Sequence, residues 1–338
     1  MPSSLVARLI LAADAGSEIS ENGVERLQGT LPKGFRIYRG QDLECGTPRD
    51  LPEPFETIPV LPDHAQYRGE PIAVLVGPSW ADVDYLAPSI QQTRGDHAPL
   101  ESEIAWYDSS EATIPQPAGD PEPSPSDPAS EPTEPTEPTE PTDSAVSTDA
   151  SLPPQLVEGD YFTALQLHMA DEALWAQAEA VRKGAHVTVP TQWPALVRGS
   201  IAKILRVHAR SVSLDVRTTA GSRDAALWMP AYLSVIAAAV ARVERVPVTV
   251  ALRADQRFAT GGRSPARIAW SSRLDAEGML IGNRVAIDLN GGAYPTMTEE
   301  TGRRVRMALE SLYRAQPLEY SISLRSSPAP PLGAMEGV

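Results

Sequence analysis

From Gly95 to Val181 the chain has no Lys or Arg, and it carries 19 of its 44 Asp and Glu residues there. Within that stretch, residues 107–155 are low in complexity, rich in Pro, Glu, Ser, Thr and Asp, and Glu131–Thr142 is a literal Glu-Pro-Thr repeat. Such a sequence lacks the apolar surface to offset its ordering entropy, repels itself and is stiffened by proline. It is predicted to be an extended, disordered acidic linker. The same composition leaves open a second use, as a docking tail for a basic partner. The linker separates residues 1–106 from residues 156–338, each of domain size. Subtracting the 19 negative charges of residues 95–181 from the formal net charge of −15 leaves +4 for the rest, so the acidity belongs to one segment and carries no information about a ligand.

Cys45 is the single cysteine, which excludes an internal disulfide and a Cys-ligated iron–sulfur cluster in this chain. The start, MPSSLVARLILAADAG, has a short apolar run without a basic leader and a long apolar core, and no stretch suggests a membrane span of roughly 20 apolar residues. A soluble cytoplasmic protein is the expectation, with neither nucleic acid nor membrane as a partner.

Residues 1–106 read as a small α+β unit. LVARLIL, GFRIYRG and PIAVLVG are predicted strands, and a helix is expected from Ser79, with Asp82 and Asp84 early in it. Gly69 is expected to make the tight turn before the third strand. In the second part, the apolar spacing of Leu196, Val197, Ile201, Ile204 and Leu205 predicts an amphipathic helix over 196–207, SVSLDVR a strand, 225–243 a strongly apolar helix, and 299–313 an amphipathic helix bearing Arg303, Arg304 and Arg306. Residues 246–295 read as a strand, an Arg/Asp-rich loop and a long hairpin turning at Asp275-Ala276-Glu277-Gly278.

The order of parts in 246–295 is more specific than a generic hairpin. Arg253 to Gln256, Thr260 to Pro265 and Asp288 to Tyr294 are similar to the "D-R-x-E-D", "T-G-x-R-H-P" and "D-x-G-A-Y" signatures of the molybdopterin-binding large subunit of the xanthine dehydrogenase and aldehyde oxidase family. Residues 62–76 resemble "V-x-Y-x-G-Q-P-V-A-x-V-V" of that family's a/b hammerhead domain, with Glu70 where the family usually has Gln. The resemblance therefore implies an α+β architecture in which a hammerhead domain (1–106) is joined by the acidic linker (107–155) to the first molybdopterin-binding domain (156–338).

What the resemblance implies for a site is partial. Residues 185–194 match the "V-x-x-x-T-Q-x-P" strand end, whose Gln hydrogen-bonds the oxo or sulfido side of the molybdenum centre; here that is Gln192, which a solvent-facing loop residue would equally explain. Where the family has "G-G-G-F-G-G-K" beside the pterin, this chain has Ala220, Gly221, Ser222 and Arg223. Gly221, Ser222 and Arg223 are thus candidate cofactor contacts, although Arg223 can also pair with Asp224 or face water, and Leu227 stands where a substrate-holding acid usually does. Arg304 is a candidate for the substrate-side Arg, against a plain solvated basic face. Glu336 replaces the Arg of "P-P-x-G-A-F-R-G-F-G".

The family's next domain, with its glutamate base, is not in these residues. The resemblance thus implies a subunit of a split molybdenum hydroxylase that forms one wall of a molybdopterin and substrate site shared with a C-terminal molybdopterin-binding polypeptide. An FAD-binding subunit and an iron–sulfur subunit would complete it. The alternative is a degenerate, non-catalytic scaffold or assembly subunit, which the lost glycines, Leu227 and Glu336 favour.

Overall fold

The three apolar runs expected as N-terminal strands are strands, but they do not make a sheet of their own. The computed structural model describes residues 4–19, 21–43, 51–52, 55, 58–95, 103–108, 155–167, 173–219, 224–294, 296–312 and 317–333. Its strands up to the acidic segment are β1 (Leu5–Leu11), β2 (Ser17–Glu18), β3 (Arg36–Arg39), β4 (Pro71–Gly77), β5 (Thr93–Arg94) and β6 (Glu103–Asp108). After it come β7 (Gln155–Thr163), β8 (Gln166–Leu167), β9 (Trp175–Val181), β10 (Gly184–Pro190), β11 (Val212–Arg217), β12 (Val248–Ala251), β13 (Gly262–Arg263), β14 (Ala266–Leu274), β15 (Leu280–Gly292), β16 (Leu318–Ser326) and β17 (Leu332–Gly333). The α-helices are α1 (Glu21–Thr30), α2 (Trp80–Leu86), α3 (Pro194–Leu205), α4 (Asp224–Glu244) and α5 (Thr298–Leu312).

The first sheet has the order β11-β10-β9-β12-β1-β4-β3, and the second β6-β16-β15-β14-β7. Both cut across the boundary expected from composition. β1 pairs in parallel with β12 (Leu5↔Val248 to Ala7↔Val250), while β6 and β7, from either side of the acidic segment, form opposite edges of the second sheet. The division into 1–106 and 156–338 is thus not a division between sheets. A strand with both faces buried leaves its edge groups unpaired unless another strand covers them, and β12 covers those of β1. The linker expected over 107–155 lies outside the described residues except at its ends, where β6 runs to Asp108 and β7 begins at Gln155.

The alternation of side chains across β1 and β4 explains why helices cover both faces of the first sheet. Leu5, Ala7, Leu9, Val74 and Val76 join the core beneath α3 and α4; Val6, Ile10, Ala73 and Leu75 join Val24 and Leu27 of α1 and Val83 of α2 on the other face. Ser79 caps α2 as expected, its Oγ accepting from Asp82 N at 3.3 Å. α4 is the pillar of the larger core, with residues from Met229 to Ala241 buried apart from none of their apolar side chains. Ala226–Glu244 is long and apolar enough to cross a membrane, contrary to the reading that no stretch approaches that length, yet 83% of its apolar window is buried inside the protein. Such all-round apolarity is what a core helix requires.

In the second sheet Val285, Ile287 and Leu289 of β15 face α5 and pack with Leu309, Ile322 and Leu324. Several elements escaped the sequence reading, β6 and β16 as well as α1 and β9. α1 contains Gly23 and Gly29, which weaken a helical pattern, and β9 (WAQAEAV) is rich in Ala, which is depleted in strands.

A charged cluster ties α2 to the first sheet. Arg8, on the α2 face of β1, donates to Asp84 at 2.6 Å and to Asp255 at 2.5 Å; Arg253 donates to Asp84 at 2.7 Å and lies over the Trp80 ring at 4.8 Å. Asp84→Ala removes the partner of two guanidiniums and is expected to cost roughly 2–4 kcal/mol in urea unfolding. Asp255→Ala, at a side chain 65% exposed, should cost under about 1 kcal/mol. Equal losses would show that the cluster does not act through Asp84.

Candidate functional site

Strand direction decides what meets at the edge of the first sheet. β9 is antiparallel to both β10 and β12, so β10 and β12 run the same way, as do β11 and β1 through their parallel pairings. The C-terminal ends of β10, β11, β12 and β1 therefore share one edge, together with the start of antiparallel β4, where Pro71 pairs with Leu11. In α/β sheets this is the edge where ligands gather, since loops leaving adjacent parallel strands converge there.

The last pair of the β10–β11 ladder is Pro190↔Arg217. Thr191 and Gln192 after β10, and Thr218 and Thr219 after β11, thus leave the sheet side by side. Thr191 is buried and its Oγ1 accepts from Trp193 N at 3.0 Å; Trp193 packs edge-on to Phe55 at 6.1 Å, and Pro194 opens α3. These contacts hold the loop and leave Gln192 exposed at its tip. Arg217, the last residue of β11, pairs with Asp215 at 2.8 Å.

Gly221, Ser222 and Arg223, which follow Thr219 on this edge in sequence, lie outside the described residues, as does Glu336. Leu227 packs partly buried against the main core. Arg304 sits on the exposed side of α5, where Arg303, Arg304 and Arg306 pair with Glu299, Glu300 and Glu310 one turn away, Arg304 to Glu300 at 3.0 Å. It lines a cavity between α5 and the second sheet to which Gln192 does not contribute. Among the described residues, no three His, Cys, Asp or Glu side chains gather to hold a metal ion.

The same edge contains a polar cluster around Glu70, at the start of β4. Gly69, at φ +93°, makes the expected turn into β4 and drives Glu70 inward until it is 2% exposed. Tyr294, after β15, donates its hydroxyl to Glu70 Oε1 at 2.6 Å, and Gln66 N donates to Oε2 at 2.6 Å. Tyr67 meets the Tyr294 ring edge-on at 6.3 Å. Nearby, Tyr232 of α4 accepts from Leu61 N at 3.2 Å and donates to Pro71 O at 3.4 Å. Glu70 at the family's Gln position, and the Gly-Gly-Ala-Tyr end of the hairpin, were the only sequence signals for this cluster.

Burial pushes the Glu70 carboxyl up to about 7, outweighing the hydrogen bonds from Tyr294 and from the backbones of Gln66 and Tyr67 that pull it down. Burial and the nearby carboxylate hold the Tyr67 and Tyr294 phenols well above their ordinary range, so both stay protonated. Since the folded protein holds the Glu70 proton more tightly than the unfolded chain, its stabilising contribution is complete below the ordinary carboxyl value of 4.5 and is lost as pH rises through about 7. Glu70→Gln should remove that pH slope and gain on the order of 2–3 kcal/mol over the wild type near pH 8, with little difference near pH 4. Urea unfolding at both pH values measures it, and parallel pH profiles for the two proteins would refute it.

Residues 145–338 match the family described as "Molybdopterin cofactor-binding domain". No curated protein sequence matches the chain. Among solved structures, the chain resembles aldehyde oxidoreductase from Desulfovibrio gigas at 15% identity and a TM-score of 0.63, covering 100% of this chain and 37% of that one. It resembles quinoline 2-oxidoreductase from Pseudomonas putida 86 at 16% identity and a TM-score of 0.68, covering 100% and 43%. The likeness to CO dehydrogenase from Oligotropha carboxidovorans is 12% in identity with a TM-score of 0.69, covering 99% and 42%. At these identities the likeness is one of fold, and the chain spans about two fifths of the length of these proteins.

Proposed function

Since the chain belongs to the molybdopterin cofactor-binding domain family, we propose that it forms one wall of a molybdopterin and substrate site in a molybdenum hydroxylase, as a subunit completed by a second molybdopterin-binding polypeptide and by flavin and iron–sulfur subunits. The observation that supports this reading is the Pro190↔Arg217 register, which brings the end of β10, just before Gln192, beside the end of β11. The fit is chemical as well as topological. An uncharged amide and hydroxyls can donate to the cofactor's oxygen or sulfur atoms without placing a competing charge there, and no cluster of metal-ligating side chains is needed where the pterin carries the metal.

When bound, the cofactor supplies the two-electron chemistry of hydroxylation, on a heterocycle or an aldehyde. This chain's part is to orient. Gln192 holds one side of the cofactor, Gly221 and Ser222 give its backbone close approach, and Arg223 offers a fork for a phosphate or carboxylate. Arg304 and Glu336 are assigned to the substrate side; for Arg304 this requires exchanging Glu300 for substrate. Within this proposal residues 1–106 are the hammerhead unit, sharing its sheet with the cofactor domain, and the complex is cytoplasmic.

Co-expression with the polypeptides encoded beside it, followed by molybdenum analysis and turnover of the purified complex, tests the proposal. Gln192→Ala should leave the complex assembled and lower turnover by roughly 10- to 100-fold, the loss of about one or two strong hydrogen bonds. Unchanged metal content and turnover in that variant would favour the non-catalytic scaffold instead. A chain that purifies alone, with no partner and no molybdenum, would remove the basis for a shared site.

A further inference from the structure

The cavity between α5 and the second sheet has a volume of about 490 Å³, within the usual range of small-molecule sites. Its floor is apolar: Ile268 of β14, Ile287 and Leu289 of β15, and Val305 of α5 line it. At one end stand Arg263 and Ser264. The backbone of Arg263 is pinned on both sides, to Gln166 of β8 and to Gly333 of β17, and Ser264 N donates to Gly333 O at 3.2 Å. The three strands approach so closely that a Cβ on Gly262 would lie 2.2 Å from Gln166 O. The two polar side chains are therefore carried on a backbone with little freedom to shift, as a preorganised site requires.

Two features of this end have no structural use. Ser264 is 6% exposed, yet its Oγ has no hydrogen-bond partner, although a buried hydroxyl left unsatisfied costs about 1–3 kcal/mol. Among the described residues, no carboxylate lies within ion-pair distance of Arg263, whereas the cavity's other cation, Arg304, is already neutralised by Glu300. Ser264 Oγ is closed off from the cavity, so the lining offers, among the described residues, one positive charge without an ion-pair partner, a fork of N–H donors above an apolar floor.

We propose that this cavity binds a small organic monocarboxylate with an apolar body. Arg263 takes the carboxylate in bidentate fashion, and the hydrocarbon lies against Ile268, Ile287, Leu289 and Val305. A single unmatched charge suits a monoanion better than a phosphate dianion, and the floor requires a body that a bare anion lacks. The proposal does not depend on molybdenum chemistry.

Calorimetric titration of the full chain with benzoate, benzyl alcohol and inorganic phosphate tests it. Benzoate should bind, and both other probes should bind at least about tenfold more weakly. Arg263→Gln should lower benzoate affinity by roughly tenfold or more, with unfolding midpoints confirming that the variant is folded. Ser264→Ala serves as the control: it should leave benzoate affinity unchanged and the ligand-free protein as stable as the wild type or more so, because it removes an unsatisfied hydroxyl that the ligand does not reach. Absence of benzoate binding, equal binding of benzyl alcohol or phosphate, or unchanged affinity in Arg263→Gln would each overturn the assignment.

Discussion

The parallel pairing of β1 with β12 is the contact on which the rest of the arrangement depends. It joins the first residues of the chain to a strand far along it, Leu5↔Val248 through Ala7↔Val250, and so inserts β1, β4 and β3 into the sheet that carries β10 and β11. Long-range pairing of this kind requires loop-closure entropy to be offset by what it buries. Here the return is the double-sided core, α3 and α4 on one face and α1 and α2 on the other, whose side chains alternate along β1 and β4. Without this join the edge that gathers Gln192, Glu70 and Arg253 would be two unrelated ends.

Two polar assemblies lie against that sheet, and they differ in kind. Arg8, Asp84, Arg253 and Asp255 balance charge with charge across elements remote in sequence, and part of the cluster remains open to water. Glu70, in contrast, is enclosed with the Tyr294 hydroxyl and the backbones of Gln66 and Tyr67, so among the described residues its carboxyl has neutral donors but no ion-pair partner. Desolvation wins there because hydrogen bonds from neutral groups recover only part of the hydration free energy of a carboxylate. The cluster joins the hairpin end at Tyr294 to the start of β4.

Much of the local structure was legible. Alternation or continuous apolarity marked β1, β4, β12 and the β14–β15 hairpin, and a 3.6-residue period marked α3, α4 and α5, because one buried face writes itself into the sequence at the repeat of its backbone. Gly69 was legible because a residue before a buried strand at φ +93° has few other choices. α1 and β9 were not. Their burial comes from neighbours, with Ala176 and Ala178 of β9 enclosed beneath α4, while their own composition points elsewhere. Gln192 could be singled out by its motif, but its adjacency to the end of β11 is a property of the register alone.

What the amino-acid sequence determined by itself was most of the longer elements, the acidic segment that separates them in the chain, and the family signatures in their order, all of which depend on residues near one another. Tertiary structure alone decided that strands from both sides of that segment share sheets, that Glu70 is sealed against Tyr294, and that Arg263 lines a cavity with no ion-pair partner among the described residues. Those outcomes rest on which edges and faces meet across long stretches of chain. A residue's burial and its partners are set by that meeting, and no local pattern of apolar and polar residues encodes it.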